Sequence, residues 1–281
     1  MNHERDMRVF ERIGTPFCHR RCKKATWRSS TTQMLGRVLS DLVRSMLSGK
    51  HTRTPAAIPE QPINPIAEYF FGNRGRLIDK WHHYFEIYHR HFAKFRGRSP
   101  VVVEVGVSHG GSLQMWRHYF GAGARIVGID VDPRCKEFED ESTTILIGDQ
   151  ADRRFLAGVR EQVPHIDILI DDGGHTMVQQ IATFEELYPH IQRQGVYLCE
   201  DIHTSFLPDW GGGYRREGTF LEYSKPLIDR LYAWYSQEPN RFAVDEMTRT
   251  TFALHFYDSV LVIEKRPMSP PQSSTTGIPS F

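Results

Sequence analysis

The chain has 281 residues, 40% of them hydrophobic and 25% charged, which suits one large domain with an appendage. No apolar run approaches the ~20 residues that a membrane span requires, so an integral membrane protein is excluded. The net charge of +1 is unevenly divided: residues 1–60 hold 12 Lys/Arg against 5 Asp/Glu, whereas residues 61–281 hold 23 against 29. The larger, acidic part is therefore not expected to bind nucleic acid through a general positive field. Four scattered cysteines (Cys18, Cys22, Cys135, Cys199) do not make a disulfide framework, and the N-terminus lacks a secretory layout; both fit a cytoplasmic location.

Residues 1–65 read as a basic extension. Cys18 and Cys22 bracket His19, but a zinc site needs four ligands and no second cysteine pair follows. From Met34 to Leu47 apolar residues recur at helical spacing, predicting an amphipathic helix that docks on its own domain, on a partner or on a membrane surface. His51–Pro65, with four prolines, reads as a linker. Asp79–Phe95 is an aromatic, His-rich helical stretch for which packing is the default explanation.

From Pro100 strands and helices alternate. Strand-like runs fall at 101–106, 125–130, 144–149, 166–172 and 195–201, with helical patterns at 112–120, 135–141, 151–162 and 176–192. Buried runs such as Val-Val-Val-Glu-Val, spaced by helices, predict a doubly wound, mostly parallel sheet covered on both faces. A helix over 218–235 follows, then strands over 251–256 and 259–265 whose short link allows only antiparallel pairing. The α/β domain is bounded at 66–266, and the Pro/Ser/Thr-rich stretch 267–281 is expected to be disordered.

The candidate site residues sit at the ends of these strands, where open α/β folds bind ligands. Glu104-Val-Gly106 leads into Gly110, Gly111 and Ser112. This is a Gly-x-x-x-Gly turn before a helix N-terminus, suited to close backbone approach and to an anionic group. Asp130 ends the second strand and could accept ribose hydroxyls; Asp149 and Gln150 end the third, where an adenine amino group could be met. Asp171-Asp172-Gly-Gly-His175 and Glu200-Asp201-Ile-His203 end the next two. Carboxylates gathered this closely call for a cation, and their oxygen chemistry suits Mg²⁺ or Mn²⁺. His175 is the candidate base for a hydroxyl held there.

The sequence resembles the metal-dependent sugar O-methyltransferases of antibiotic biosynthesis, including macrolide 6-deoxysugar and rhamnosyl enzymes, from about Asp79 to Gly213. The resemblance rests on Lys80-Trp81, Glu-Val-Gly with Gly-Gly-Ser-Leu-Gln-Met-Trp, Gly-Asp-Gln-Ala-Asp, Asp-Ile-Leu-Ile-Asp-Asp-Gly-Gly-His, and Glu-Asp-Ile-His-Thr-Ser. It implies a class I, Rossmann-like methyltransferase fold of seven strands with an antiparallel last strand. It also implies S-adenosylmethionine at Glu104, Gly106, Gly110, Ser112, Asp130, Asp149 and Gln150. Mg²⁺ would sit at Asp172, Glu200 and Asp201, with His175 as base and a small-molecule glycoside as acceptor. The segment 206–218 matches a mobile cover over the acceptor. The macrolide enzymes assemble through a larger N-terminal domain, so their quaternary arrangement does not carry over, and a homo-oligomer stays open. Two other readings stay open as well: a cephalosporin-hydroxylase-like Fe(II) enzyme on the same scaffold, and a non-catalytic cofactor-binding or partner-docking protein.

Overall fold

The structure, a computed structural model, describes residues 64–281. The expected helix from Met34 and the Cys18/Cys22 pair lie outside the described residues. Asn64 caps the first helix, α1 (Pro65–Gly72), its Oδ1 accepting the N–H groups of Ile66 and Ala67. α2 (Tyr84–Phe92) buries Tyr84, Tyr88, His91 and Phe92, the spacing of a single helical face.

The sheet comprises β1 (Val101–Val105), β2 (Arg125–Asp130), β3 (Thr143–Ile147), β4 (Ile166–Asp171), β5 (Ile191–Cys199), β6 (Thr251–Tyr257) and β7 (Val260–Lys265). Their order is β3-β2-β1-β4-β5-β7-β6. β1 to β5 pair in parallel, and β7 runs antiparallel to both β5 and β6. The reversed last strand is the one expected from the two-residue link at its turn.

Helices cover both faces: α3 (Gly111–Phe120) lies on one side with α1 and α2, and α4 (Arg153–Gln162), α5 (Met177–Leu187) and α6 (Phe220–Ser224) lie on the other. Strand residues alternate between the two cores. Val102, Ile168, Ile170, Val196 and Leu198 pack with Trp116 and Phe92; Val101, Val103, Val105, Leu169 and Tyr197 pack with Leu156 and Phe184. No helix among the described residues is long and apolar enough to cross a membrane.

Three boundaries differ from the expectation. The helix begun at Met177 stops at Leu187, because Pro189 diverts the chain into a short 3₁₀ turn (Tyr188–His190), and β5 then starts at Ile191. The expected single helix over 218–235 is broken at Lys225-Pro226 into α6 and α7 (Leu227–Tyr232). α8 (Glu246–Thr250) has no forecast counterpart; it is a one-turn helix held by a capping box between Asp245 and Thr248. Residues 267–281 carry no helix or strand and are almost wholly exposed.

Trp116 is fully buried between Tyr88, Phe92 and Phe120, with its Nε1 donating to Glu104 at 3.0 Å. Trp116→Ala should destabilise the domain by about 3–5 kcal/mol. Chemical denaturation measures this, and a loss under about 1 kcal/mol would contradict the packing described.

Candidate active site

The carboxyl ends of β1 to β4 open onto a cavity of about 540 Å³. Gly106 makes its floor possible. Its φ is +96°, and a Cβ there would lie 1.9 Å from the Asp172 carbonyl oxygen, so only glycine lets the β1 turn meet the end of β4. Gly106, Ser112, Asp130, Asp149 and Gln150 all line the cavity. Glu104 does not; it is buried behind the wall, accepting from Ser112 Oγ (2.7 Å) and Trp116. Gly110 sits in the left-handed region as the N-cap of α3, also off the cavity wall.

The polar residues around the cavity mostly brace its loops. Asp130 accepts the N–H groups of Val107 and Ser108 at 2.8 and 2.9 Å and that of Asp132 at 2.9 Å. These bonds hold the Gly106–Gly110 turn open and use three of the roughly four acceptor sites of a carboxylate. Gln150 donates to Asp171 (2.6 Å) and Thr183 (2.9 Å) and accepts from Gly174 N–H, so both of its amide hydrogens are already engaged. Asp149 is the exposed member of the pair, with one bond to Ala151 N–H.

Beside the cavity, Asp172, His175 and Asp201 bring ligand atoms within 4.8 Å of one another. His175 Nε2 lies 3.7 Å from Asp172 Oδ1 and 3.5 Å from Asp201 Oδ2, while Nδ1 is buried without a hydrogen-bond partner. The two acidic doublets do not converge whole, because neighbouring residues of an extended chain point to opposite faces. Asp171 turns to Gln150 on the α5 side, and Glu200 turns to the α2 side. His175 and Asp201 both hold left-handed backbone, φ +57° and +54°. Such strain costs about 1–3 kcal/mol per residue and persists only where the surroundings enforce it. Thr204 Oγ1 supplies part of that enforcement, donating to the backbone oxygens of both His175 and Asp201.

Lys80, which no local pattern marks beyond its place in the family resemblance, is the hub of the site. Its ammonium, 3% exposed, donates to Asp172 and to both oxygens of Glu200 (3.0 and 3.1 Å). Burial alone would lower its pKa; the facing carboxylates of Asp172, Glu200 and Glu104 outweigh that and hold it charged. Tyr88 donates to Glu200 and Tyr84 to Asp201, each at 2.6 Å, so α2 fixes both acids. Glu200, expected among the metal ligands, thus has both oxygens engaged on Lys80 and Tyr88. His203 lies at the rim, 3.9 Å from Asp201 Oδ1 and edge-on to Trp81. The segment after it, matched by resemblance to a mobile cover, is wound tightly. Gly212 and Gly213 donate to Leu207 and Ser205, and a Cβ at Gly212 would lie 2.3 Å from Thr204 O.

The reversed last strand, the glycine turn against β4 and the strand-end acids define a class I methyltransferase domain. Within that class the chain is similar to sugar O-methyltransferases of natural-product pathways, as its motifs imply. It is 37% identical over 216 residues to 8-demethyl-8-(2-methoxy-alpha-L-rhamnosyl)-tetracenomycin-C 3'-O-methyltransferase of Streptomyces olivaceus, covering 69% of this chain and 54% of that protein. The 8-demethyl-8-alpha-L-rhamnosyl tetracenomycin-C 2'-O-methyltransferase of the same organism is 34% identical over 200 residues, covering 67% and 52%. Among solved structures, the MycE methyltransferase from the mycinamycin biosynthetic pathway, in complex with Mg and SAH, superposes with a TM-score of 0.64 at 28% identity, covering 85% of this chain and 62% of that one. No protein-family model matches the chain. The chain spans about half the length of the curated relatives it matches.

Burial pushes Glu104 from the ordinary 4.5 up to about 7, against the pull of Lys80. Between those values the native state keeps a proton that the unfolded chain releases, so this group's contribution to stability falls as pH rises through the window. Thermal unfolding across that range should show a shallower decline for Glu104→Gln than for the parent. Parallel profiles would refute the assignment.

Proposed function

We propose that the chain is an S-adenosylmethionine-dependent O-methyltransferase, assisted by Mg²⁺, acting on a hydroxyl of a glycosylated small molecule. The observation that carries the reading is the convergence of Asp172, His175 and Asp201 beside the cavity. The relatives' names and the Mg and SAH bound to MycE support it. When bound, S-adenosylmethionine supplies the sulfonium methyl group, and Mg²⁺ supplies Lewis acidity at the acceptor oxygen.

The residues fit both groups. The cavity has a size suited to a small-molecule cofactor, and the N-terminus of α3 at Gly111 and Ser112 offers free N–H groups for a carboxylate. Asp130 and Asp149 line the cavity and would meet the ribose and adenine of the cofactor. Asp172 and Asp201 offer oxygens to the cation; Glu200 would reach it only by releasing Lys80 and Tyr88. Carboxylate oxygens without a second histidine suit Mg²⁺ better than the two-histidine, one-carboxylate set of Fe(II) oxygenases.

His175 accepts the acceptor's proton at Nε2, the nitrogen that faces the two carboxylates. Asp172 and Asp201, at 3.7 and 3.5 Å, stabilise the imidazolium that results. Tyr84 holds Asp201 in place for this, and Lys80 holds Asp172. His175→Ala should lower methyl transfer to a rhamnoside by about 10²–10⁴-fold while leaving S-adenosylhomocysteine affinity nearly unchanged. Unaltered turnover would exclude the base assignment. EDTA should inhibit the parent and Mg²⁺ should restore it; indifference to EDTA would remove the metal from the account.

A further inference from the structure

A second set of metal-type donors lies away from the cavity, where α2 packs over the hairpin of β6 and β7. His91 is 3% exposed, and its Nδ1 lies 2.9 Å from Glu264 Oε1 on β7. His255 Nε2, on the edge strand β6, lies 3.1 Å from the same oxygen. The three ligand atoms fall within 4.8 Å of one another. His255 Nε2 is shielded from solvent yet has no hydrogen bond of proper geometry, despite the proximity of Glu264. Lys94 approaches the other carboxylate oxygen, at 3.8 Å, and so leaves Oε1 to the two imidazoles.

We propose that His91, His255 and Glu264 form a zinc site. Zinc bonds of about 2.0–2.2 Å to nitrogen and oxygen place tetrahedral ligands about 3.3 Å apart, close to the separations from Glu264. The nitrogen-rich set favours zinc over Mg²⁺. His91 Nε2 lies 2.9 Å from Tyr257 Oη, giving the ligating ring the outer partner that fixes its orientation. His255 is 34% exposed, which leaves the fourth position to solvent. The ion ties the end of α2 to the last two strands. The same helix carries Tyr84 and Tyr88, which hold Asp201 and Glu200, so zinc stabilises the frame of the active site without entering its chemistry.

The test uses the full-length chain with Cys18→Ser, Cys22→Ser and His175→Ala, which leaves only carboxylates at the active-site cluster, with excess Mg²⁺ present during the titration. After stripping with EDTA, zinc is titrated in competition with a chromophoric chelator. One zinc per chain should bind and raise the unfolding temperature. Tyr257→Phe should weaken zinc ~10-fold and His255→Ala roughly 100-fold, with the temperature shift lost in the latter. Failure of the stripped protein to take up one zinc per chain overturns the proposal. Zinc affinity unchanged by both substitutions does so as well. Should His255→Ala fail to fold, Tyr257→Phe alone decides.

Discussion

The site depends on one buried ammonium. Glu104, Asp172 and Glu200 all face the same interior, and three carboxylates there would repel one another without a cation. Lys80 supplies the charge from the segment that leads into α2, and it does so with a side chain only 3% exposed. Breaking such a pair from one side leaves an uncompensated buried charge, typically a loss of about 3–5 kcal/mol. The same contact fixes the chain before α2 against the carboxyl ends of β4 and β5. Leu77 and Ile78, just ahead of Lys80, are thereby held on the cavity wall. Charge balance and cavity shape therefore share one cause.

A division of labour among the acids follows from strand geometry. Alternation sends Asp171 toward Gln150 and Glu200 toward Tyr88, where each braces the core. Their neighbours Asp172 and Asp201 are left to meet at His175. Left-handed backbone at His175 and Asp201 completes the meeting, since an extended chain at either position would carry its side chain elsewhere. The arrangement resembles a preorganised site, with an imidazole and two carboxyl groups held by contacts from both layers.

Much of this was legible in the residues. The strands at 101–105, 125–130 and 166–171 stood out because buried β-branched runs bounded by turns have few other readings. The reversed strand was legible from the short link between residues 257 and 260. The end of α5 was not, because the apolar period runs on past Leu187 and only Pro189 marks the stop. His175, Asp172 and Asp201 were legible as strand-end polar groups. The separation of Glu200 from them was not, since it depends on Lys80 and Tyr88, 120 and 112 residues away in sequence. The bonds of Gln150 were hidden for a similar reason: it lines the cavity, but its amide faces Asp171 and Thr183, partners that no local pattern announces.

The most direct test of the central claim is calorimetric titration of S-adenosylhomocysteine into the full-length protein, in Mg²⁺ buffer and again in EDTA. The account predicts saturable one-to-one binding in both, since the cavity under Gly106 and Asp130 is built by the chain itself. Absence of binding in either buffer would contradict the assignment of that cavity and, with it, the methyl-transfer reading of the cluster beside it.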